Sequence, residues 1–166
     1  MMRIIWKIGY GLVRNIRGGS FGSRMRVFIL RKLGCSCSPT AYIGPNVTII
    51  QPQRLRIGAN TSIHQDCYLD ASGGIEIGDN VSIAHGVSMV SFNHTYADAE
   101  IAIKIQPLSY GAITIKENVW IGCRAVILAG TEIGSRSVVG ALTLCNKVYD
   151  GEEILGGVPA RVIKKI

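Results

Sequence analysis

Aliphatic residues recur every six positions along most of this chain, and that period admits very few folds. They fall at Ile57, Ile63 and Leu69, then at Ile77, Ile83 and Met89. They resume at Ile115, Ile121, Ile127, Ile133 and Val139, with Cys145 in the aliphatic place. Glycine follows the aliphatic at Gly44, Gly58, Gly78, Gly122, Gly134 and Gly140. A small or β-branched residue often stands four after it: Val47, Thr61, Val81, Val87, Val119, Ala125, Thr131, Ser137.

A hexapeptide period is the mark of a parallel β-helix, in which each unit is one short strand plus a corner and three units make a triangular coil of 18. Ile115 to Ile133 is one such coil, and Ile57 to Ile77 is a coil with two extra residues at a corner. Counting back 20 from Ile57 gives Cys37, with Ile43 and Ile49 continuing the frame. The spacing predicts about five coils over 37–151, all β, with roughly 4.8 Å between coils. The inward aliphatics fill the axis, and the glycines beside them are expected to take positive φ at tight corners. A doubly wound fold would need more helix, and a sandwich would need alternation with hairpin signals.

Charge is unevenly placed. Residues 1–65 hold ten Lys/Arg and no acid, the first being Asp66; the other 101 carry eight basic and eleven acidic groups. The five cysteines (Cys35, Cys37, Cys67, Cys123, Cys145) form no zinc-type pair, so small buried thiols in a reducing compartment are expected. The N-terminal apolar run is broken by Arg3, Lys7 and Arg14 and lacks a small-residue cleavage site, which argues against a signal peptide. No segment is long enough to span a bilayer. The expectation is a cytoplasmic protein with a long thin core whose side faces oligomerisation covers.

Residues 1–36 read as a basic helical arm. Ile4, Ile5, Ile8 and Leu12 share one helical face, Gly18-Gly19 interrupts, and a second segment over about 22–33 mixes Met25, Phe28, Ile29, Leu30 and Leu33 with Arg24, Arg26, Arg31 and Lys32. The arm is expected either to cap the first coil or to lie on an anionic membrane at its inner face. Nucleic-acid binding lacks any accompanying recognition motif.

The repeat breaks between Met89 and Ile115, with an insertion at about 93–112. Loops that leave a rigid scaffold concentrate function. This one opens with Asn93 and His94, a side chain able to take a proton from an alcohol near neutral pH. Asp98, four residues on, is a candidate to orient the ring or bind an acceptor. Asp70, on the coil below, is a second acceptor candidate, with an ordinary corner carboxylate as its bland reading.

The stretches DASGGIEIGDNVSIAHGVSMVSFNHTYAD, ITIKENVWIGCRAVILAGTEIG and GGVPARVIKKI, in that order over roughly residues 40–166, resemble the hexapeptide-repeat acyltransferases. The pattern is that of galactoside and maltose O-acetyltransferases and of polysaccharide O-acetyltransferases. The resemblance implies a left-handed coil, against the usual right-handed preference of crossovers. It also implies a homotrimer, acetyl-CoA as donor, no metal, and sites between subunits. His94 then matches the catalytic base and Trp120 the tryptophan beside the CoA arm. Cys123 matches the residue whose backbone N–H receives the thioester oxygen, not a nucleophile, and Ala141 a backbone contact to the pantetheine. Lys147, Arg161 and Lys164 match positions near the CoA phosphates. Where the family often has Gly-Ala-Gly-Ser, this chain has Gly140-Ala141-Leu142-Thr143, which sets Leu142 near the CoA arm.

The resulting expectation is acetyl transfer from acetyl-CoA to a hydroxyl of a sugar or polysaccharide precursor. N-acetylation of an amino sugar is the alternative within the same chemistry, and a noncatalytic trimeric scaffold is a third class. The zinc-dependent γ-class carbonic anhydrases share the fold, and His64, His85 and His94 are the histidines available. Their gaps do not reproduce that class's pair five apart with a third ligand far upstream.

Overall fold

The computed structural model describes residues 2–16 and 19–166, with side chains from Ile5 onward, so the Ile4 and Gly18 readings lie outside the described residues. Short strands stack in parallel ladders on three faces of a prism. The first face runs Ser36–Cys37, Leu55–Ile57, Ile75–Ile77, Ile113–Ile115, Glu132–Ile133 and Val148–Tyr149. The second runs Tyr42–Ile43, Ser62–Ile63, Ser82–Ile83, Trp120–Ile121, Val138–Val139 and Glu153–Gly156, closed by Arg161–Lys165. The third has five strands, Thr48–Ile50, Tyr68–Asp70, Ser88–Val90, Val126–Leu128 and Leu144–Cys145.

Register follows the period. On the first face Cys37 pairs with Ile57, Ile57 with Ile77, Ile77 with Ile115, Ile115 with Ile133 and Ile133 with Tyr149. The third-face column Leu69, Met89, Ile127, Cys145 and the second-face column Ile43, Ile63, Ile83, Ile121, Val139, Leu155 are fully buried. Each large aliphatic so placed contributes about 1.5–3 kcal/mol of burial. Two faces carry six layers where the period predicted about five coils. The difference arises because Tyr149 and Leu155 continue the inward columns after the six-residue spacing has lapsed.

The corner glycines act differently from expectation. None of Gly44, Gly58, Gly78, Gly122, Gly134 and Gly140 has positive φ. The left-handed conformation falls two residues later, on Asn46, Asn60, Asn80, Arg124, Arg136 and Leu142, and also on Asn118, two after Lys116. Asparagine enters that region at little cost. What glycine supplies is room: a Cβ on Gly122 would stand 2.6 Å from the Ala141 nitrogen and 2.8 Å from the Gly140 carbonyl carbon of the next coil.

The open N-terminal edge is closed by two helices, α1 (Met2–Arg14) and α2 (Gly19–Lys32). Ser23 Oγ accepts the Ile43 N–H at 2.9 Å, and Arg26 Nε donates to the Ile43 carbonyl at 2.9 Å. Fully buried Arg26 also reaches the carbonyls of Val13 (3.1 Å) and Ile16 (2.9 Å), tying the end of α1 to the coil. Tyr10 donates its hydroxyl proton to the Val47 carbonyl at 3.0 Å. The capping reading of the arm therefore holds for one face of each helix. At the far end, Arg161–Lys165 pairs antiparallel with Glu153–Gly156, and Lys165 Nζ meets the buried Glu153 carboxylate at 2.8 Å.

Gly122→Ala should lower unfolding stability by about 1–3 kcal/mol, because overpacking against backbone cannot relax by a rotamer change. Asn118→Gly, at a left-handed position, should change it by less than about 1 kcal/mol. Urea denaturation of the two variants side by side checks the pair.

Candidate active site

The loop that interrupts the repeat leaves the prism at the vertex between its third and first faces. Ser91 holds the exit: its Oγ donates to the Asp70 carbonyl at 2.7 Å and accepts the Gly73 N–H at 2.8 Å, and its carbonyl accepts the Gly111 N–H at 3.1 Å. Between them a hairpin forms, Phe92–His94 antiparallel to Leu108–Tyr110, with a 3-10 turn at Ile103–Ile105. His94 ends its first strand opposite Leu108 and is exposed. The Phe92 ring and the imidazole are steeply inclined to one another, with centroids 6.4 Å apart. Asn93, paired with Ser109, is also exposed.

Gln106 organises this loop and escaped the sequence reading. It is buried, receives the Asp98 N–H at 3.2 Å, and donates Nε2 to the carbonyls of Asp98 (2.7 Å) and Ile101 (2.8 Å). Nothing in the six-residue frame marks it; the only signal is an uncharged amide amid exposed apolar residues. Asp98 does not orient His94. Its Oδ1 accepts the Glu100 N–H at 2.9 Å, the turn bond that an aspartate makes two residues on. Asp70 is buried at the loop's base, and its Oδ1 accepts both the Ser72 N–H (3.0 Å) and the Ser72 hydroxyl (2.6 Å). Burial and the neighbouring Asp70 carboxylate raise the Tyr68 hydroxyl above its ordinary range.

A second group gathers around the vertex between the second and third faces. Trp120 is 55 % exposed and stacks in register with Val138 and Ser82. Cys123 is half-buried in the corner; its carbonyl accepts the Leu142 N–H at 3.0 Å, while its own N–H has no acceptor among the described residues. The Ala141 N–H, one coil on, has none among them either. Leu142 itself points outward, 66 % exposed, in the left-handed conformation.

The cations lie beyond. Val138 pairs with Ile154 and Ile154 with Lys164, so Trp120 and Lys164 share one column three strands apart, roughly 14 Å. Arg161 pairs with Gly156 on the same closing strand. Lys147 stands at the other vertex, its Nζ 5.5 Å over the Tyr149 ring.

One chain thus brings Trp120, Cys123, Ala141, Arg161 and Lys164 to one side of the prism and Asn93, His94, Asp70 and Lys147 to another. The Arg124 N–H bonds to the His85 carbonyl, which fixes the Cys123 corner at the start of the third face, whereas His94 follows its end. About six extended residues, roughly 15–20 Å, separate the two vertices. His64 and His85 are exposed, and no cluster of three metal-ligating side chains occurs among the described residues.

This architecture is that of known transferases. Residues 112–147 match the bacterial transferase hexapeptide family (six repeats), and residues 54–89 match the hexapeptide repeat of succinyl-transferase. The galactoside O-acetyltransferase of Escherichia coli K12 is 30 % identical over 141 residues, 85 % of this chain and 68 % of that protein. A putative colanic acid biosynthesis acetyltransferase of the same organism is 29 % identical over 86 % of this chain and 75 % of its own length. The crystal structure of a hexapeptide-repeat acetyltransferase from Vibrio cholerae, complexed with acetyl coenzyme A, superposes with a TM-score of 0.84 at 25 % identity, covering 99 % of this chain and 86 % of that one. The chain belongs to the hexapeptide-repeat acetyltransferases and is an acyltransferase.

Gln106→Leu should free the loop without unfolding the prism. Hydrogen exchange across residues 92–110 should rise at least tenfold while the thermal midpoint shifts by less than about 5 °C.

Proposed function

We propose that this protein transfers the acetyl group of acetyl-CoA to a saccharide hydroxyl, with His94 as general base. The observation that carries the reading is an exposed histidine at the end of an extruded hairpin in a solenoid whose opposite vertex presents a free N–H at Cys123. In the reaction, His94 takes the acceptor's hydroxyl proton as that oxygen attacks the thioester carbonyl. The Cys123 N–H stabilises the charge that develops on the carbonyl oxygen. The C–S bond breaks, CoA leaves as thiolate, and the imidazolium returns the proton to it. Trp120 and the Ala141 backbone line the path of the pantetheine, and Lys164 and Arg161 meet the phosphates. Lys147, on the same vertex as His94, would add a further cation near the phosphates from the neighbouring subunit, and Asn93, Asp98 and Asp70 stand beside the acceptor.

A complete site needs a second chain, and we infer a homotrimer in which the hairpin of one subunit faces the Cys123 edge of the next. Two features support this. The two halves stand a whole face apart on a single chain. The hairpin also exposes Tyr96, Ile103, Ile105 and Tyr110 at 57–78 %, an apolar load that a neighbour would cover. A saccharide acceptor agrees with the galactoside and colanic acid relatives.

Acetyl-CoA should bind both wild type and His94→Ala in calorimetric titration with comparable affinity. The variant's CoA release with a galactoside acceptor should fall about 10²–10⁴-fold. Loss of binding in both proteins would overturn the donor assignment. Lys164→Ala should raise KM for acetyl-CoA several-fold while leaving kcat nearly unchanged, since a phosphate contact made equally in ground and transition states is uniform binding.

A further inference from the structure

The two N-terminal helices cap the solenoid with one face each and leave the other bare. On α1, Tyr10 and Val13 are buried, whereas Ile5, Ile8 and Leu12 are 58, 61 and 74 % exposed, and Ile16 just beyond it is 40 % exposed. Their spacings of three and four set them on one side of the helix, away from the coil. On α2, Phe21 and Phe28 are exposed among Arg24, Arg31 and Lys32. Trp6 packs edge-on against Phe28 with centroids 5.9 Å apart, and Lys32 Nζ lies 5.5 Å over the same ring, which joins the two outer faces.

On the other side of α1, toward the coil, a cavity of about 520 Å³ opens between the helix and the 48–53 corner. Ile49, Ile50 and Pro52 form its apolar side, and Lys7 and Arg14 stand over it from the helix. Arg14 also donates to Thr48 Oγ1 at 3.3 Å, which fixes its position. No acid occurs before Asp66, and among the described residues no ion pair involves either helix.

We propose that the arm is a docking face for an anionic phospholipid bilayer. The Ile5, Ile8, Leu12, Ile16 stripe enters the acyl boundary, while Arg24, Arg31 and Lys32 of α2 and the cations on the polar side of α1, Lys7 among them, attract the headgroups. Charge selects this occupant. A second copy meeting the same face would oppose cations to cations, and a neutral apolar partner would leave them uncompensated. The arm sits at the N-terminal end of the prism and Lys164 on the closing strand at the other, so docking leaves the donor-side cations pointing away from lipid. The inference stands on the arm alone and is independent of the transfer chemistry.

Co-sedimentation of the full-length protein with vesicles of phosphatidylglycerol and phosphatidylcholine, against phosphatidylcholine alone, tests it. Wild type should pellet with the anionic vesicles only and be released by high salt. Ile8→Ser/Leu12→Ser and Lys7→Glu should each weaken binding at least tenfold, with an unchanged circular dichroism melt and unchanged CoA release on a soluble acceptor. Failure of wild type to pellet, equal binding to neutral vesicles, or variants that bind as wild type would each overturn the proposal. A double-serine variant of smaller oligomeric mass would also overturn it, by making the stripe a subunit contact. Loss of transfer with vesicle binding intact would count against the acetyltransferase reading alone.

Discussion

Everything in this protein depends on corners that stack directly on one another. Adjacent coils lie about 4.8 Å apart, and at that distance a corner tolerates no side chain directed at the next layer. Gly122, Gly78 and Gly44 meet backbone atoms of the following coil at 2.6–2.8 Å from where a Cβ would be. Once the corners are seated, the inward columns fall into register without further instruction. The Cys123 carbonyl is then occupied by Leu142 while its N–H has no acceptor among the described residues, so the free donor at this corner is a by-product of stacking.

Loops can leave such a column only where the stack can close beneath them. Coils two and three meet at Gly73, where a Cβ would stand 2.1 Å from the Ser91 carbonyl. Ser91 then bridges Asp70 and Gly73 below and Gly111 beyond. The twenty or so residues extruded there leave Ile75 and Ile113 paired as if nothing intervened. Loop geometry and core packing are thereby separated: the hairpin is held by Gln106, the prism by its isoleucines.

What the sequence made legible was whatever repeats. Ile57, Ile77, Ile115 and Ile133 announce a column because each layer asks the same of its residue, and His94 was visible as the polar opening of the one large interruption. Gln106 and Ser91 were invisible, and Arg26 read as one more cation of the arm although it is buried, because each satisfies a single local demand for hydrogen bonds that no neighbour repeats. Asp98 was misleading because an i+4 spacing has meaning on a helix but none in a turn, where its carboxylate caps Glu100 instead. The corner glycines were found for the wrong reason, since spacing alone does not separate a need for positive φ from a need for space. The sixth layer was missed where Tyr149 replaced an aliphatic.

A stack of parallel coils has no intrinsic length, since the ladder that joins two layers would join a third from any other molecule. Ser23 and Arg26 occupy both hydrogen-bonding groups of Ile43, and the antiparallel Arg161–Lys165 strand turns the opposite edge away from further parallel pairing. These two stoppers make the molecule finite. A chain stripped of them would present complementary open edges at its two ends and grow head to tail into fibrils, so the buried arginine guards solubility as much as stability.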